Sequence, residues 1–128
     1  INAKDFFVDM FETNLKEEEI VTSIEFNIAD KSKYYKFSSL ASKYAVVGVF
    51  VALKDNIVKF SITGASNSVF SLKELDNIHI KDLSKVNIYD INFNSYYING
   101  DLHASAEYKI SLIHSILKEA IYFIINHE

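Results

Sequence analysis

The segment from Lys43 to Leu53 constrains this chain more than any other. Tyr44, Val46, Phe50 and Ala52 fall on one side of an extended backbone, and Ala45, Val47, Val49, Val51 and Leu53 fall on the other. Apolar side chains on both faces predict a central, covered strand. Gly48 in the middle predicts close approach by a packed side chain or another backbone. Lys54-Asp55-Asn56 reads as a short turn. Ile57 to Thr63 then returns with Val58, Phe60 and Ile62 inward and Lys59, Ser61 and Thr63 outward, which completes a β-hairpin.

The flanking segments divide by period. Asp5 to Phe11 is dense in aromatics and predicts a helical turn or an irregular arm packed on the core, and Asn14 with Glu17 predicts a capped turn through Glu19. From Glu19 to Phe26, Ile20, Thr22, Ile24 and Phe26 alternate with Val21, Ser23 and Glu25, so a strand is expected with Val21 standing out on its polar face. Tyr34 to Ser39 predicts a second extended segment, and Gly64 to Ser68 a loop. Ser71 and Glu74 have capping-box spacing, and Leu72, Leu75, Ile78 or His79, and Leu83 recur at helical spacing, which predicts a helix. Val86 to Ile98 fits either a short strand or irregular structure. From Ser105 to Asn126 a broad apolar stripe through Tyr108, Leu112, Ile113, Ile116, Leu117, Ala120, Ile121 and Ile124 predicts the helix that covers the sheet, with Lys109, Lys118 and Glu119 off the stripe. Strands followed by helices, with no alternation and no internal repeat, predict an α+β sandwich built on an antiparallel sheet. At 128 residues the chain is expected to form a single domain, residues 1–128. Ile1 in place of an initiating Met suggests an excised segment.

Composition removes several classes of function. With no cysteine the chain has no disulfide, thiolate metal site, cluster ligand or thiol nucleophile of its own. Its three glycines, at 48, 64 and 100, cannot form a dinucleotide or nucleotide phosphate loop. All thirteen basic residues are scattered lysines and the net charge is -4, which argues against nucleic acid as a partner. The longest apolar stretch, Tyr44 to Leu53, is too short to span a bilayer and is flanked by no secretory n-region. A cytoplasmic location is therefore expected.

Local constellations have plain structural readings. The histidines stand at 79, 103, 114 and 127. Asp101, His103 and Glu107 could supply metal ligands, but acidic and small polar residues at a helix start ordinarily cap it. No serine sits in a nucleophile elbow, and Glu17-Glu18-Glu19 reads as a solvated turn. The pairs Tyr34-Tyr35 and Tyr96-Tyr97 could stack on a planar ligand, but half-buried strand tyrosines are commoner.

Several blocks taken in order are more specific. Asp5-Phe6-Phe7, Met10-Phe11-Glu12-Thr13 with Leu15 and Glu19-Ile20, Lys36-Phe37 with Ala41-Ser42-Lys43-Tyr44-Ala45-Val46-Val47-Gly48, and Asp101 with Ala104-Ser105-Ala106-Glu107-Tyr108-Lys109 cover essentially the whole chain. Together they resemble the C-terminal domain of the FAD-binding medium subunit of carbon monoxide dehydrogenase and related, xanthine oxidase-like molybdenum hydroxylases. The resemblance implies a three- to four-stranded antiparallel sheet backed by about three helices. It implies a non-catalytic role, completing the flavin site and the subunit interface. FAD is held mostly by N-terminal domains of the same subunit, and electrons arrive from a molybdopterin large subunit through an iron–sulfur small subunit. Carried over by position, the flavin contacts fall on Val21 and, for the basic contact, near Ser39, with Lys36 the adjacent cation. Lys109 and Glu119 stand where such sequences usually hold arginine. The alternatives are a free-standing interaction module of the same fold without a redox role, and a small enzyme using Asp101, His103 and Glu107.

Overall fold

A computed structural model describes residues 1–126, so His127 lies outside the described residues. Its centre is an antiparallel sheet that follows from the alternating segments. The edge strand β3 (Lys31–Ser38) pairs with β4 (Ala45–Lys54), and β4 pairs with β5 (Ile57–Thr63) through a turn in which Asp55 and Asn56 both take positive φ. Two strands of two residues, β6 (Phe70–Ser71) and β7 (Ile78–His79), add to β5 and bring the sheet to five. A separate hairpin of β1 (Phe7–Asp9) and β2 (Glu12–Thr13) follows the short helix α1 (Ala3–Phe6).

One face of the sheet carries the core. Val47, Val49 and Val51 of β4 with Val58, Phe60 and Ile62 of β5 pack under the long helix α3 (Ala106–Asn126), whose Ile113, Leu117, Ala120 and Ile124 are buried. The Ser105 hydroxyl caps α3 by accepting from the Tyr108 amide at 3.2 Å. The short helix α2 (Ile80–Leu83) and the 3-10 turns Ile88–Asp90 and Phe93–Ser95 close the remaining side with Leu83, Ile88, Ile91 and Phe93. The fold is α+β, an antiparallel sheet packed against helices.

Four expectations are corrected. The helix predicted from Ser71 to Leu83 is broken into a 3-10 turn, Lys73–Leu75, the strand β7 and the four-residue α2, and the Glu74 carboxylate accepts from the Tyr96 hydroxyl at 2.7 Å instead of capping. Leu72 and Leu75 are buried all the same. The strand expected over 19–26 is not formed: residues 19–29 make no ladder with another strand and have no regular structure. The helical turn expected in Asp5 to Phe11 is present as the end of α1, but the packing on the core is not: Phe7, Met10 and Phe11 continue as a hairpin that faces solvent. Lys109, expected off the helix stripe, is 4% exposed.

Candidate functional site

The sheet face away from α3 is open. By register, Tyr34 and Lys36 of β3, Gly48, Phe50 and Ala52 of β4, and Lys59, Ser61 and Thr63 of β5 share it. The close approach expected at Gly48 is a side chain: the Tyr34 ring crosses the glycine and its hydroxyl meets that of Thr63 at 2.9 Å. A β-carbon at 48 would collide with the Tyr34 hydroxyl and stand 2.7 Å from its ring. The strand is thus covered by α3 on one side only, with Tyr34 and Phe50 left partly exposed on the other.

Lys36 lies on this face, and its ammonium donates to the Lys43 carbonyl at 3.3 Å across the β3–β4 turn. Ser39 begins that turn; its amide donates to the Tyr44 carbonyl and its own carbonyl accepts from the Lys43 amide. The cation is therefore held at the β3–β4 turn without being buried. Val21 is in the unstructured arm, 50% exposed, between Ile20 at 80% and Ile24 at 78%, with Phe26 at 82%. Its expected distinction, one apolar side chain on a wet face, is lost because both faces of the arm are open.

Two shallow hollows adjoin these elements. One, about 430 Å³, lies between the β1–β2 hairpin (Phe7, Phe11, Thr13) and the loop Gly64, Ser66, Asn67, Ser68 and Val69. The other, about 390 Å³, lies between Asn27 and Ala29 of the arm and Ala52, Ile57 and Lys59 of the open face. Neither is lined by Val21 or Lys36. Toward a flavin these two residues offer an apolar and a cationic contact on an open surface. That fits one wall of a site and not a cradle.

The Asp101 cluster is a structural knot. Lys109 reaches from α3 to the Asp101 carboxylate at 2.9 Å and to the Gly64 carbonyl at 3.3 Å, while Asp101 also accepts from the amides of His103 and Ala104. The Lys109 bond and those amides hold the Asp101 carboxyl down at about 2. His103 is exposed and Glu107 sits in the first turn of α3. No group of three potential metal ligands occurs among the described residues. The signal for Lys109 was present as spacing, because 109, 113, 116, 120 and 124 form one helical row.

Buried polarity is otherwise sparse. The His114 ring packs on Tyr89 and Phe93 at 5.1 and 5.3 Å, and its Nε2 is buried without a partner. Burial pushes its pKa down, against a hydrogen bond to the Ile88 backbone. Tyr96, of the tyrosine pairs, is engaged by Lys73 and Glu74, whereas Tyr97 is exposed.

No family model, curated protein or solved structure matches the chain. Among the described residues no helix is long and apolar enough to cross a membrane.

Proposed function

We propose that this chain is the non-catalytic C-terminal domain of the FAD-binding medium subunit of a cytoplasmic molybdenum hydroxylase of the carbon monoxide dehydrogenase kind. It forms one wall of the flavin site and part of the interface with the iron–sulfur and molybdopterin subunits. The observation that carries the reading is the arm. Ile20, Val21, Ile24, Phe26 and Ile28 are held largely in solvent, although burying each would be worth about 1.5–3 kcal/mol. A segment of that kind is suited to a covering surface, and Val21, the position that the resemblance assigns to the flavin, lies within it.

FAD, when bound, supplies the electron exchange, and this chain's residues supply shape and exclusion of water. Val21 offers an apolar contact, and the Lys36 ammonium, steadied by the Lys43 carbonyl, offers a positive charge to an anionic group. The order of the sequence blocks and the α+β architecture support the same reading. An apolar arm serves a free-standing interaction module equally well, so the test must reach the flavin.

Two observations check the proposal. The gene's reading frame upstream of Ile1 is expected to encode glycine-rich FAD loops; a start codon just before Ile1 contradicts the subunit reading. Calorimetric titration of the 128-residue chain with FAD is expected to show no tight binding, since a one-sided surface forfeits most ligand contacts. Tight stoichiometric binding would mean that this chain is itself the flavin site.

A further inference from the structure

We propose that the free edge of β3 takes an extended, acidic segment of a partner protein as an added antiparallel strand. The backbone of this edge is open. The β4–β5 hairpin closes at Lys54 and Ile57 around Asp55 and Asn56, both at positive φ, so the closing pair exchanges hydrogen bonds. Bonding then alternates along β4, and Val47, Val49, Val51 and Leu53 turn their amides and carbonyls toward β3. Their partners there are Phe37, Tyr35, Lys33 and Lys31, which leaves the N–H and C=O groups of Ser32, Tyr34 and Lys36 pointing away from the sheet. β3 pairs only with β4, and among the described residues no other backbone segment bonds to this row. Such a row is a template for another strand.

Charge selects the occupant. The chain carries a net charge of -4, yet β3 holds Lys31, Lys33 and Lys36 and no acidic residue. None of the three has a carboxylate partner, since the ion pairs among the described residues are those of Lys54, Lys85 and Lys109. Lys31 and Lys33 alternate onto the side of the sheet that α3 covers, and their ammonium groups stand 5.1 and 4.8 Å from the centre of the same Phe123 ring. Lys31 also donates to the Ile124 carbonyl at 3.2 Å, near the end of α3, whereas Lys33 meets the rings of Tyr35 and Phe123. Two like charges are thus gathered beside one open edge, where a carboxylate on an added strand would lie across from them. A second copy of β3 would bring three more lysines to the edge and no carboxylate.

Register sets the pattern the occupant must carry. Lys31, Lys33, Tyr35 and Phe37 share the α3 side, where Tyr35 and Phe37 each meet a helix ring, Phe123 and Tyr108, at 6.4 Å. An antiparallel partner therefore reads, on alternate residues, apolar across from Phe37 and Tyr35 and then acidic across from Lys33 and Lys31. The Lys36 side chain points to the other face and takes no part, so the proposal does not rest on the flavin reading.

The probe is the capped peptide Val-Thr-Val-Thr-Glu-Thr-Glu, titrated into the isotope-labelled 128-residue chain and followed by NMR. Saturable binding is expected, with the amides of Ser32, Tyr34 and Lys36 exchanging about tenfold more slowly in the complex. Methylating the threonine amides of the peptide keeps its charge, removes its ladder donors and is expected to weaken binding about tenfold. Glutamine in place of glutamate, or Lys33→Glu in the chain, is expected to weaken it about fivefold, and the variant is expected to prefer a peptide with lysine in place of glutamate. Absence of saturable binding, equal binding of the methylated or the glutamine peptide, or dimerisation of the chain through protected β3 amides without peptide overturns the proposal. None of these readouts involves FAD, so they can fail while the flavin reading stands, and the reverse.

Discussion

Replacing Gly48 with alanine tests the open face of the sheet at its tightest point. In a strand, alanine in place of glycine is worth about 0.5–1 kcal/mol in its favour from backbone entropy. Here the new methyl would collide with the Tyr34 hydroxyl and the Thr63 hydroxyl; the tyrosine, as the far end of a flexible side chain, can swing away, whereas the β-branched threonine moves only by changing rotamer. Moving them breaks the 2.9 Å hydroxyl pair, about 1 kcal/mol. It also uncovers roughly 40 Å² of apolar surface, about 1 kcal/mol more. The net expectation is a loss of about 1 kcal/mol, seen as a lower urea midpoint with unchanged slope and a fall of about 4 °C in Tm. In a Tyr34→Ser background the ring and its hydroxyl pair are gone, and the same substitution is expected to be neutral or to stabilise by up to about 1 kcal/mol, a coupling of about 2 kcal/mol. Gly48→Ala that stabilises the native chain, or that costs the same in both backgrounds, would refute the placement of Tyr34 across Gly48.

Three further outcomes are expected. Leu117→Ala, at a fully buried α3 position, loses about 3 kcal/mol in urea titration, while the exposed neighbouring Lys118→Ala stays within about 0.5 kcal/mol. Lys109→Met removes the donor to the Gly64 carbonyl and to Asp101 and costs about 2 kcal/mol; carboxyl NMR should show Asp101 titrating near 2 in the native chain and rising toward 3.8 in the variant. Because the native Asp101 value is lowered, its contribution is complete above 3.8 and disappears as pH falls from 3.8 to about 2. His114 is also lowered, by burial, so the neutral ring contributes fully above 6.5 and the contribution is lost as pH falls below that through its folded value; His114→Phe should remove that part of the acid slope.

The parts of the fold that were legible in the sequence are those where burial and period agree. The β4–β5 hairpin and α3 follow from Val47, Val49, Val51, Val58, Phe60, Ile62 and the helical row ending at Ile124, whose spacing leaves one arrangement that buries them all. Local signals failed where a tertiary partner decided. Ser71 and Glu74 satisfy a capping pattern, but Tyr96 lies 22 residues from Glu74 and claims the carboxylate. Ile20 to Phe26 alternates as a strand does, yet these residues make no ladder, since alternation by itself does not fix a pairing partner. Lys109 was misplaced because its charge outweighed its spacing. A long aliphatic stem can run through a core when its ammonium finds a carboxylate and a carbonyl at the end. For the candidate site, Val21 and Lys36 rest on the resemblance alone, whereas the open face formed by Tyr34, Gly48 and Phe50 required the strand register.

Flavin accessibility measures the central claim most directly. The protein encoded by the whole reading frame, with FAD bound, is compared with a form that ends before Ile1, and quenching of flavin fluorescence by iodide is recorded for each. If these 128 residues form one wall of the site, quenching is markedly weaker when they are present, and Val21→Asp returns it toward the level of the shortened form. Equal quenching in all three proteins would contradict the account.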